Sequence, residues 1–245
     1  MARTEFDHDR FDEAYPPGIE RSWWHVARNR TIVRVLKGHV PPNASILEIG
    51  CGTGIVTQQL RAAGWNARGV ELGSPNSGLL VPEHLFLDTD AFDLPVEIRT
   101  GIDTLVLFDV IEHIRDAPAF IRALLIAFPN AQRVAVTVPA RKELWTTFDD
   151  HFGHFRRYTR PMLRNEFAAA GLSTERVRYF FHALYPAIAL NNLLRGRERN
   201  IRFHAPDPGF TSTINGIVGR LFAWESRLLP GALPGSSIIA VGRRT

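Results

Sequence analysis

The chain has 245 residues, a net charge of +4, 45% hydrophobic residues and 22% charged residues. This composition is typical of a globular protein with a full core, and no apolar run reaches the length of about 18 residues that predicts a transmembrane helix. The N-terminal stretch MARTEFDHDRFDEAY has no apolar centre, so it does not resemble a secretory signal. The single cysteine excludes an internal disulfide and a zinc site built from cysteines, and we expect a cytoplasmic protein.

The basic residues are 27 arginines and two lysines. Arginine binds phosphate and carboxylate groups in a bidentate manner, so an acidic ligand is one interpretation. The interpretation that we favour is the codon bias of a GC-rich bacterial genome. Because the arginines are scattered rather than gathered in one stripe, we expect no nucleic-acid partner.

Strand and helix patterns alternate along the chain. The first predicted helix covers about 19–37, within a helical N-terminal cap of about 1–40. Predicted strands follow in SILEIG, NARGVEL, HLFLD, DTLVLFDVI, QRVAVTV, TERVRYFF and SSIIAVGR. Predicted helices lie in IVTQQLRAAG, APAFIRALLIAF and RPMLRNEFAAAG, the last with Thr159 as its N-cap. We predict that residues of about 182–232 form a helical insertion on the substrate side, before the last strand.

This alternation predicts an α/β protein with a doubly wound, mostly parallel seven-stranded sheet and helices on both faces. The near-continuous apolar run DTLVLFDVI is typical of a strand that is buried on both faces. The sequence contains no clear linker, so we predict a single domain over 1–245.

A glycine-rich turn follows the first strand, with glycines at 50, 52 and 54 in a G-x-G-x-G pattern. Glu71 comes 17 residues after Gly54, at the predicted end of the second strand, where an acid can accept hydrogen bonds from ribose hydroxyls. Glu48 lies within the apolar strand, which is costly unless its carboxylate is paired or faces a ligand. A carboxylate at this position suits a cationic ligand better than a pyrophosphate.

Several segments together resemble class I S-adenosylmethionine-dependent methyltransferases. They are WW…ARNR, ILEIGCGTG, DAFDLP, FDVIEHI and GHFRRYT, and they span roughly residues 20–180. The likeness is to the subgroup that includes ubiquinone-pathway and sugar- or lipid-linked methyltransferases. It implies a Rossmann-like fold, S-adenosylmethionine as the cofactor and S-adenosylhomocysteine as the product.

The resemblance also implies which residues contact the cofactor. Glu48 and the loop from Gly50 to Gly54 would face its methionine part, Glu71 would bind the ribose, and Asp90 would bind the adenine amino group. The full set implied for the cofactor is Glu48, Gly50, Cys51, Gly52, Gly54, Glu71, Leu72, Asp90, Ala91, Asp109 and Val110. A solvated acidic loop is the alternative for Asp90.

Methyl transfer to a protonated nucleophile needs alignment and a base, and histidine is the usual base near neutral pH. His113 in VIEHI and His154 in DDHFGHFRRYT are the candidate catalytic residues, although His113 could instead begin a helix. The candidate acceptor contacts are Trp24, Arg28, His151, Arg156, Arg157 and Tyr158. Trp24 could equally pack in the core, and Arg157 and Tyr158 could simply brace the loop.

We predict no metal. Asp149, Asp150, His151 and His154 match no standard zinc spacing, and methyl displacement does not require a metal ion.

The predicted function is methyl transfer to an oxygen or nitrogen of a small-molecule or sugar- or lipid-linked acceptor. A non-catalytic partner protein that binds S-adenosylmethionine and an NAD-type oxidoreductase are the alternatives. The apolar insertion ends in basic residues and could lie on a membrane surface. We favour a helical cap with a buried stripe, and the oligomeric state is left open.

Overall fold

The structure is a computed structural model that describes residues 13, 15–75, 82–199 and 204–245. The strands are β1 Ser45–Ile49, β2 Asn66–Val70, β3 Leu85–Phe86, β4 Thr104–Phe108, β5 Arg133–Pro139, β6 Leu172–Phe180 and β7 Ser237–Arg244. The helices are α1 Trp23–Lys37, α2 Ile55–Ala62, α3 Val96–Thr100, α4 Ala117–Ala127, α5 Thr147–His151, α6 Arg160–Ala169, α7 Leu184–Arg195 and α8 Phe210–Leu228.

The strands form one sheet in the order β3-β2-β1-β4-β5-β7-β6. The pairs from β3 to β5 are parallel, whereas β7 runs antiparallel to both β5 and β6. This confirms the predicted Rossmann-like, mostly parallel seven-stranded sheet. The chain reverses its winding between β1 and β4, and ligands of open α/β sheets bind at the carboxyl end of such a switch point.

Apolar residues cover both faces of the sheet. Leu47 packs in one buried cluster with Phe167 of α6, while its neighbour Ile46 packs in another with Leu36 of α1 and Leu60 of α2. Successive side chains of a strand point to opposite faces, so an unbroken apolar strand needs helices on both sides. This arrangement leaves the carboxyl edge of the sheet open for polar loops.

The insertion before the last strand consists of α7 and α8, as predicted, but the two helices pack differently. The expected buried stripe is only partly covered in α7: none of its residues is fully buried, and its half-buried residues are Leu184, Tyr185, Ile188, Ala189 and Asn192. α8 packs along α1, where the absence of a side chain at Gly219 permits close approach: a Cβ there would lie 2.6 Å from the Cβ of Val26. None of the described helices is long and apolar enough to cross a bilayer.

The remaining differences are local. The short helices α3 and α5 carry no clear apolar period and were not predicted. Thr159 is the N-cap of α6, as predicted, and accepts a hydrogen bond from Met162 N at 3.4 Å. Residues 1–12 and 14 of the predicted N-terminal cap lie outside the described residues, and the assignment of 1–245 to one domain stays a prediction.

Candidate active site

The glycine loop begins directly where β1 ends. Gly50, Gly52 and Gly54 all have positive φ, at 71°, 51° and 81°, a region that other residues rarely adopt. A Cβ at Gly50 would lie 2.8 Å from Cγ2 of Val110, so the loop after β4 closes against this turn. The glycine pattern is therefore required by backbone conformation and by the close approach of Val110.

Two carboxylates flank the loop. Glu71, at the end of β2, accepts hydrogen bonds from the backbone N–H of Gly52 at 2.9 Å and of Gly73 at 3.2 Å. Glu48 lies buried beneath the loop and accepts a hydrogen bond from the hydroxyl of Thr57. Burial raises the pKa of Glu48 to about 7 and also raises the pKa of Glu71. Both acids thus adjoin the loop, as the sequence predicted.

Cys51 is buried within the same loop, and burial raises the pKa of its thiol well above the ordinary value. A thiol held neutral in this way is a poor nucleophile. The thiol of Cys51 therefore packs within the loop, and the predicted contact of this residue with the cofactor stays a prediction.

The predicted adenine side lies in the segment after β3. Asp90 caps the short 3₁₀ helix Ala91–Asp93, since its Oδ1 accepts a hydrogen bond from Phe92 N at 3.0 Å. Ala91 is buried and Leu72 is half-buried. The positions fit the predicted pocket, and their contacts with a cofactor stay a prediction.

An ion pair joins the N-terminal helix to the end of β4. Arg28 of α1 is buried and its Nη2 lies 2.7 Å from Oδ2 of Asp109, whose other oxygen accepts from the hydroxyl of Thr137 at 3.1 Å. The guanidinium carbon also lies 5.2 Å from the ring centroid of Trp24. Arg28, predicted to contact the acceptor, thus holds α1 against the predicted cofactor residue Asp109.

Tyr15 is a site residue that the sequence did not indicate. Its ring lies against the glycine loop, with Cζ 3.3 Å from the position of a Cβ at Gly52. Burial raises the pKa of Tyr15 above its ordinary range, and the charges of Arg28, Asp109, Glu71 and Glu48 also act on it. No local pattern in DEAYPPG distinguishes this tyrosine from a surface residue, so only the fold identifies it.

The loops after β4 and β5 meet at the carboxyl edge of the sheet. Phe155 N donates to Glu112 O at 2.8 Å, and the ring centroids of His113 and His154 lie 4.8 Å apart. The two histidines that were predicted separately as candidate bases are therefore neighbours.

A buried carboxylate orients His154. Asp149 is fully buried, and its Oδ1 lies 2.8 Å from Nδ1 of His154. Arg157 binds the same carboxylate through two nitrogens, at 2.8 and 3.0 Å. Burial alone would raise the pKa of Asp149, but the hydrogen bonds from His154 and Arg157 hold that pKa below its ordinary value. An ionised Asp149 makes Nδ1 of His154 the donor and leaves Nε2 as the basic nitrogen.

Burial shifts the pKa of both Glu112 and His113. Burial, and then the charge of His154, lowers the pKa of His113 to about 4. Burial raises the pKa of Glu112 well above its ordinary value, and neither of its carboxyl oxygens has a hydrogen-bond partner among the described residues. The potential ligand atoms of Glu112, His113 and His154 lie within 4.8 Å of one another. These three side chains could hold a metal ion if they moved closer together.

Two of the predicted acceptor contacts need correction. Tyr158 is fully buried in the core, and its hydroxyl donates to Ile111 O at 3.2 Å. Arg157 is buried against Asp149 and Ala140, and Arg156 donates to Arg115 O at 2.6 Å. Because the polar groups of Tyr158 and Arg157 are engaged inside the protein, these two residues brace the loop rather than face an acceptor. Arg156 is half-buried and its bond to Arg115 O lies at the surface, so its contact with an acceptor stays a prediction.

The other two predicted acceptor contacts lie at the periphery. His151 lies 3.5 Å from Glu13, an exposed residue. Trp24 stacks on Phe181 with ring centroids 6.3 Å apart. Trp24 is thus a packing residue that also covers Arg28, while a role of His151 toward an acceptor stays a prediction.

The profile of a protein family described as "Methyltransferase domain" matches residues 23–177. The chain belongs to this methyltransferase family. The matched range contains the glycine loop, Glu71, Asp109 and both candidate bases, which confirms the predicted enzyme class. The finer subgroup indicated by the sequence stays a prediction.

Solved structures with the same fold share little sequence with this methyltransferase. A putative methyltransferase from Haloferax volcanii, in complex with the activator Trm112, is 18% identical over 99% of both chains, with a TM-score of 0.59. The 1,6-didemethyltoxoflavin-N1-methyltransferase of Burkholderia thailandensis is 16% identical over 91% of this chain and 80% of that chain, with a TM-score of 0.54. Magnesium protoporphyrin IX methyltransferase from Synechocystis PCC 6803 is 15% identical over 100% and 90% of the two chains, with a TM-score of 0.51.

The last two structures hold S-adenosylhomocysteine, in agreement with the predicted cofactor. At these identities the likeness establishes the shared fold. No curated protein sequence matches this methyltransferase.

Proposed function

We propose that this methyltransferase moves the methyl group of S-adenosylmethionine to an oxygen or nitrogen of a small-molecule or sugar- or lipid-linked acceptor, with His154 as the general base. The observation that carries the proposal is the Asp149–His154 pair, at 2.8 Å, on the loop that follows β5 at the carboxyl edge of the sheet. A carboxylate behind a histidine fixes its tautomer and stabilises its protonated form.

The charges around the glycine loop favour a cationic cofactor. The carboxylate of Glu71 accepts the hydrogen bond of the Gly52 N–H, and Glu48 is a second acid beneath the same turn. A pyrophosphate at this place would meet negative charge and would compete with Glu71 for the loop amide, which argues against an NAD-type oxidoreductase. A sulfonium with an amino group gains from the charge of Glu71, and a cation bound beside Glu48 favours the ionised form of that acid. In this proposal Glu71 binds the ribose, and Leu72, Asp90 and Ala91 line the adenine side. Asp109 and Val110 line the pocket at the end of β4.

The proposed reaction is an in-line displacement. As the acceptor oxygen or nitrogen forms its bond to the methyl carbon, the bond from that carbon to sulfur breaks and S-adenosylhomocysteine leaves. Nε2 of His154 takes the acceptor proton, and Asp149 stabilises the resulting imidazolium. Burial lowers the pKa of His113 to about 4, which makes it a weak base, and its part is to pack against the ring of His154.

The first experiment establishes the cofactor and the acceptor class. Calorimetry with S-adenosylmethionine, S-adenosylhomocysteine and NAD is expected to show binding of the first two only. The protein is then incubated with S-adenosylmethionine labelled in its methyl group, together with a polar extract or a lipid extract of bacterial cells. Label that enters one fraction identifies the acceptor class. Cofactor binding with no labelled product in either fraction would support the non-catalytic alternative.

The second experiment tests the base. His154→Gln is expected to lower the turnover rate by about 10²- to 10⁴-fold while the Kd for S-adenosylmethionine stays within about twofold. His39→Gln is the control, since His39 lies before β1, at the opposite edge of the sheet, beside Glu175. Unchanged turnover in His154→Gln would remove His154 from the mechanism.

A further inference from the structure

Helix α8 is apolar on two opposite sides. One side packs on α1: Gly219 lies against Val26, the ring centroid of Phe222 lies 5.0 Å from that of Trp23, and Ala223 is buried. This side accounts for the attachment of α8 to the rest of the protein. It leaves the large apolar residues of the opposite side unexplained.

The second side carries six large apolar residues at alternating steps of three and four positions. They are Phe210, Ile214, Ile217, Leu221, Trp224 and Leu228, and each is between 43% and 81% exposed. At about 100° per residue they fall within an arc of about 80°, nearly opposite the side that meets α1. A continuous row of this length differs from scattered surface leucines and marks an interaction surface. We call these six residues the outer face of α8.

Basic residues border the outer face. Arg220 and Arg227 are exposed and lie along one edge of it. α7 adds exposed Leu193 and Leu194, followed by exposed Arg195 and Arg197. Among the described residues from 184 to 233, the exposed acids are Glu198 and Asp207, while Glu225 is half-buried and accepts a hydrogen bond from Ala183 N. The surface around the apolar row is therefore net positive.

The outer face could be covered by a second copy of the chain or by an anionic lipid surface, and the charges favour the lipid surface. If two copies paired through this row, the arginines along its edge would be brought near those of the partner, with few acids to balance them. An anionic lipid surface complements both features, because the apolar side chains enter the acyl boundary and the arginines meet the headgroups. Trp224, the fifth residue of the row, is of the residue type enriched at that boundary.

We propose that the outer face of α8 binds the surface of membranes that contain anionic lipids. The protein is then a peripheral membrane protein whose α8 lies in the plane of the interface. The inference does not depend on the proposed chemistry, since it rests on α7 and α8 and not on the site residues. It adds a membrane-facing side to a helix whose other side is buried against α1.

The test is sedimentation of the full-length protein with sucrose-loaded vesicles. Vesicles of phosphatidylcholine alone are compared with vesicles that contain phosphatidylglycerol, at low and high salt. Binding to the anionic vesicles is expected, with weaker binding at high salt. Leu221→Glu is expected to lower the partition coefficient at least about tenfold. Replacing Arg220 and Arg227 by Gln together is expected to lower it about thirtyfold at low salt.

Two control variants make the same kinds of substitution away from the outer face of α8. Ile126→Glu introduces the same charge at a residue of α4 that is 79% exposed, and Arg164→Gln neutralises an exposed arginine of α6. Both are expected to bind as the unchanged protein does. Fluorescence provides a second readout: emission should shift to shorter wavelength on adding anionic vesicles, and Trp224→Phe should abolish the shift.

Two results would overturn the proposal. One is the absence of binding to anionic vesicles at low salt. The other is a concentration-dependent dimer, in sedimentation velocity without lipid, that Leu221→Glu converts to monomer while vesicle binding is absent. The second result would assign the outer face to a second copy of the chain.

Discussion

Asp149 and His154 lie five residues apart on one loop, and their side chains meet at 2.8 Å. The contact depends on α5, where Thr146 and Asp149 form a capping box that turns the Asp149 carboxylate inward. Because Arg157 holds the same carboxylate from the other side, Asp149 stays ionised and fixes His154 in one tautomer. The pair thus joins α5 to the loop that follows it.

Asp149→Asn is expected to change the tautomer of His154. An amide can donate to Nδ1, so the population with the proton on Nε2 should increase, and long-range ¹⁵N correlation spectra of the histidine rings measure this directly. The variant should also lose about 3 kcal/mol or more of unfolding free energy, because Arg157 keeps a buried charge without its partner. Asp150→Asn, on the exposed side of the same helix, should change neither. An unaltered His154 spectrum in Asp149→Asn would contradict the assigned tautomer.

Breaking the Arg28–Asp109 pair is expected to destabilise the protein. Arg28→Met leaves Asp109 with only Thr137, and since Asp109 is a third exposed, we expect a loss of about 1–3 kcal/mol in urea unfolding. A double-mutant cycle with Asp109→Asn should give a coupling of at least about 1 kcal/mol. The exposed pair of Arg21 and Glu20 is the comparison, and its coupling should be near zero. Equal couplings for the two pairs would contradict a special role of Arg28.

Gly50→Ala is expected to lower the unfolding free energy more than Gly171→Ala, because the second substitution causes backbone strain alone. Gly50 has positive φ, and a Cβ there would also lie 2.8 Å from Val110, whereas Gly171 has positive φ and nothing within 4 Å of a Cβ. Gly50→Ala should therefore cost about 1–3 kcal/mol more than Gly171→Ala. It should also weaken binding of S-adenosylmethionine in calorimetry.

The clash can be tested by relieving it. Val110→Ala removes the methyl group that a Cβ at Gly50 would meet, so the double variant should recover part of the stability that Gly50→Ala loses. A double variant that is no more stable than Gly50→Ala would show that strain at φ alone causes the effect.

Glu48 makes stability depend on pH. Burial raises its pKa in the folded protein from the ordinary 4.5 to about 7, so between these values the unfolded chain releases a proton that the folded protein keeps. The contribution of Glu48 to stability is thus fully present below pH 4.5 and is lost as the pH rises to about 7. The loss is on the order of 3 kcal/mol. Urea unfolding between pH 4.5 and pH 7.5 measures it.

Glu48→Gln removes the titrating group and keeps the shape. The stability of the unchanged protein relative to this variant should therefore fall over the same pH range. Glu97→Gln, at an exposed residue of α3, should leave the pH profile as it is. Parallel pH profiles for Glu48→Gln and the unchanged protein would show that Glu48 titrates normally.

The cofactor side of the site was visible in the sequence because it depends on short segments. Glu48, the three glycines and Glu71 each take their position from the strand or turn that contains them, and the parallel order of β1 and β2 then brings them to one edge. The substrate side was visible only in part. Nothing in the sequence distinguishes Tyr158 and Arg157 from exposed polar residues of a loop. In the structure they point inward, where they contact Ile111 and Asp149.

The sequence alone determined the fold class, the position of the glycine loop and the two candidate bases, since periodicity and spacing encode local conformation and the order of elements. The tertiary structure decided which of these residues meet. It joined Arg28 to Asp109 and His113 to His154, brought Tyr15 onto the loop, and left one apolar side of α8 exposed. The physical reason is that pairing and exposure depend on which surfaces the packed helices cover, and a helix with two apolar sides has the same local pattern whichever side is buried.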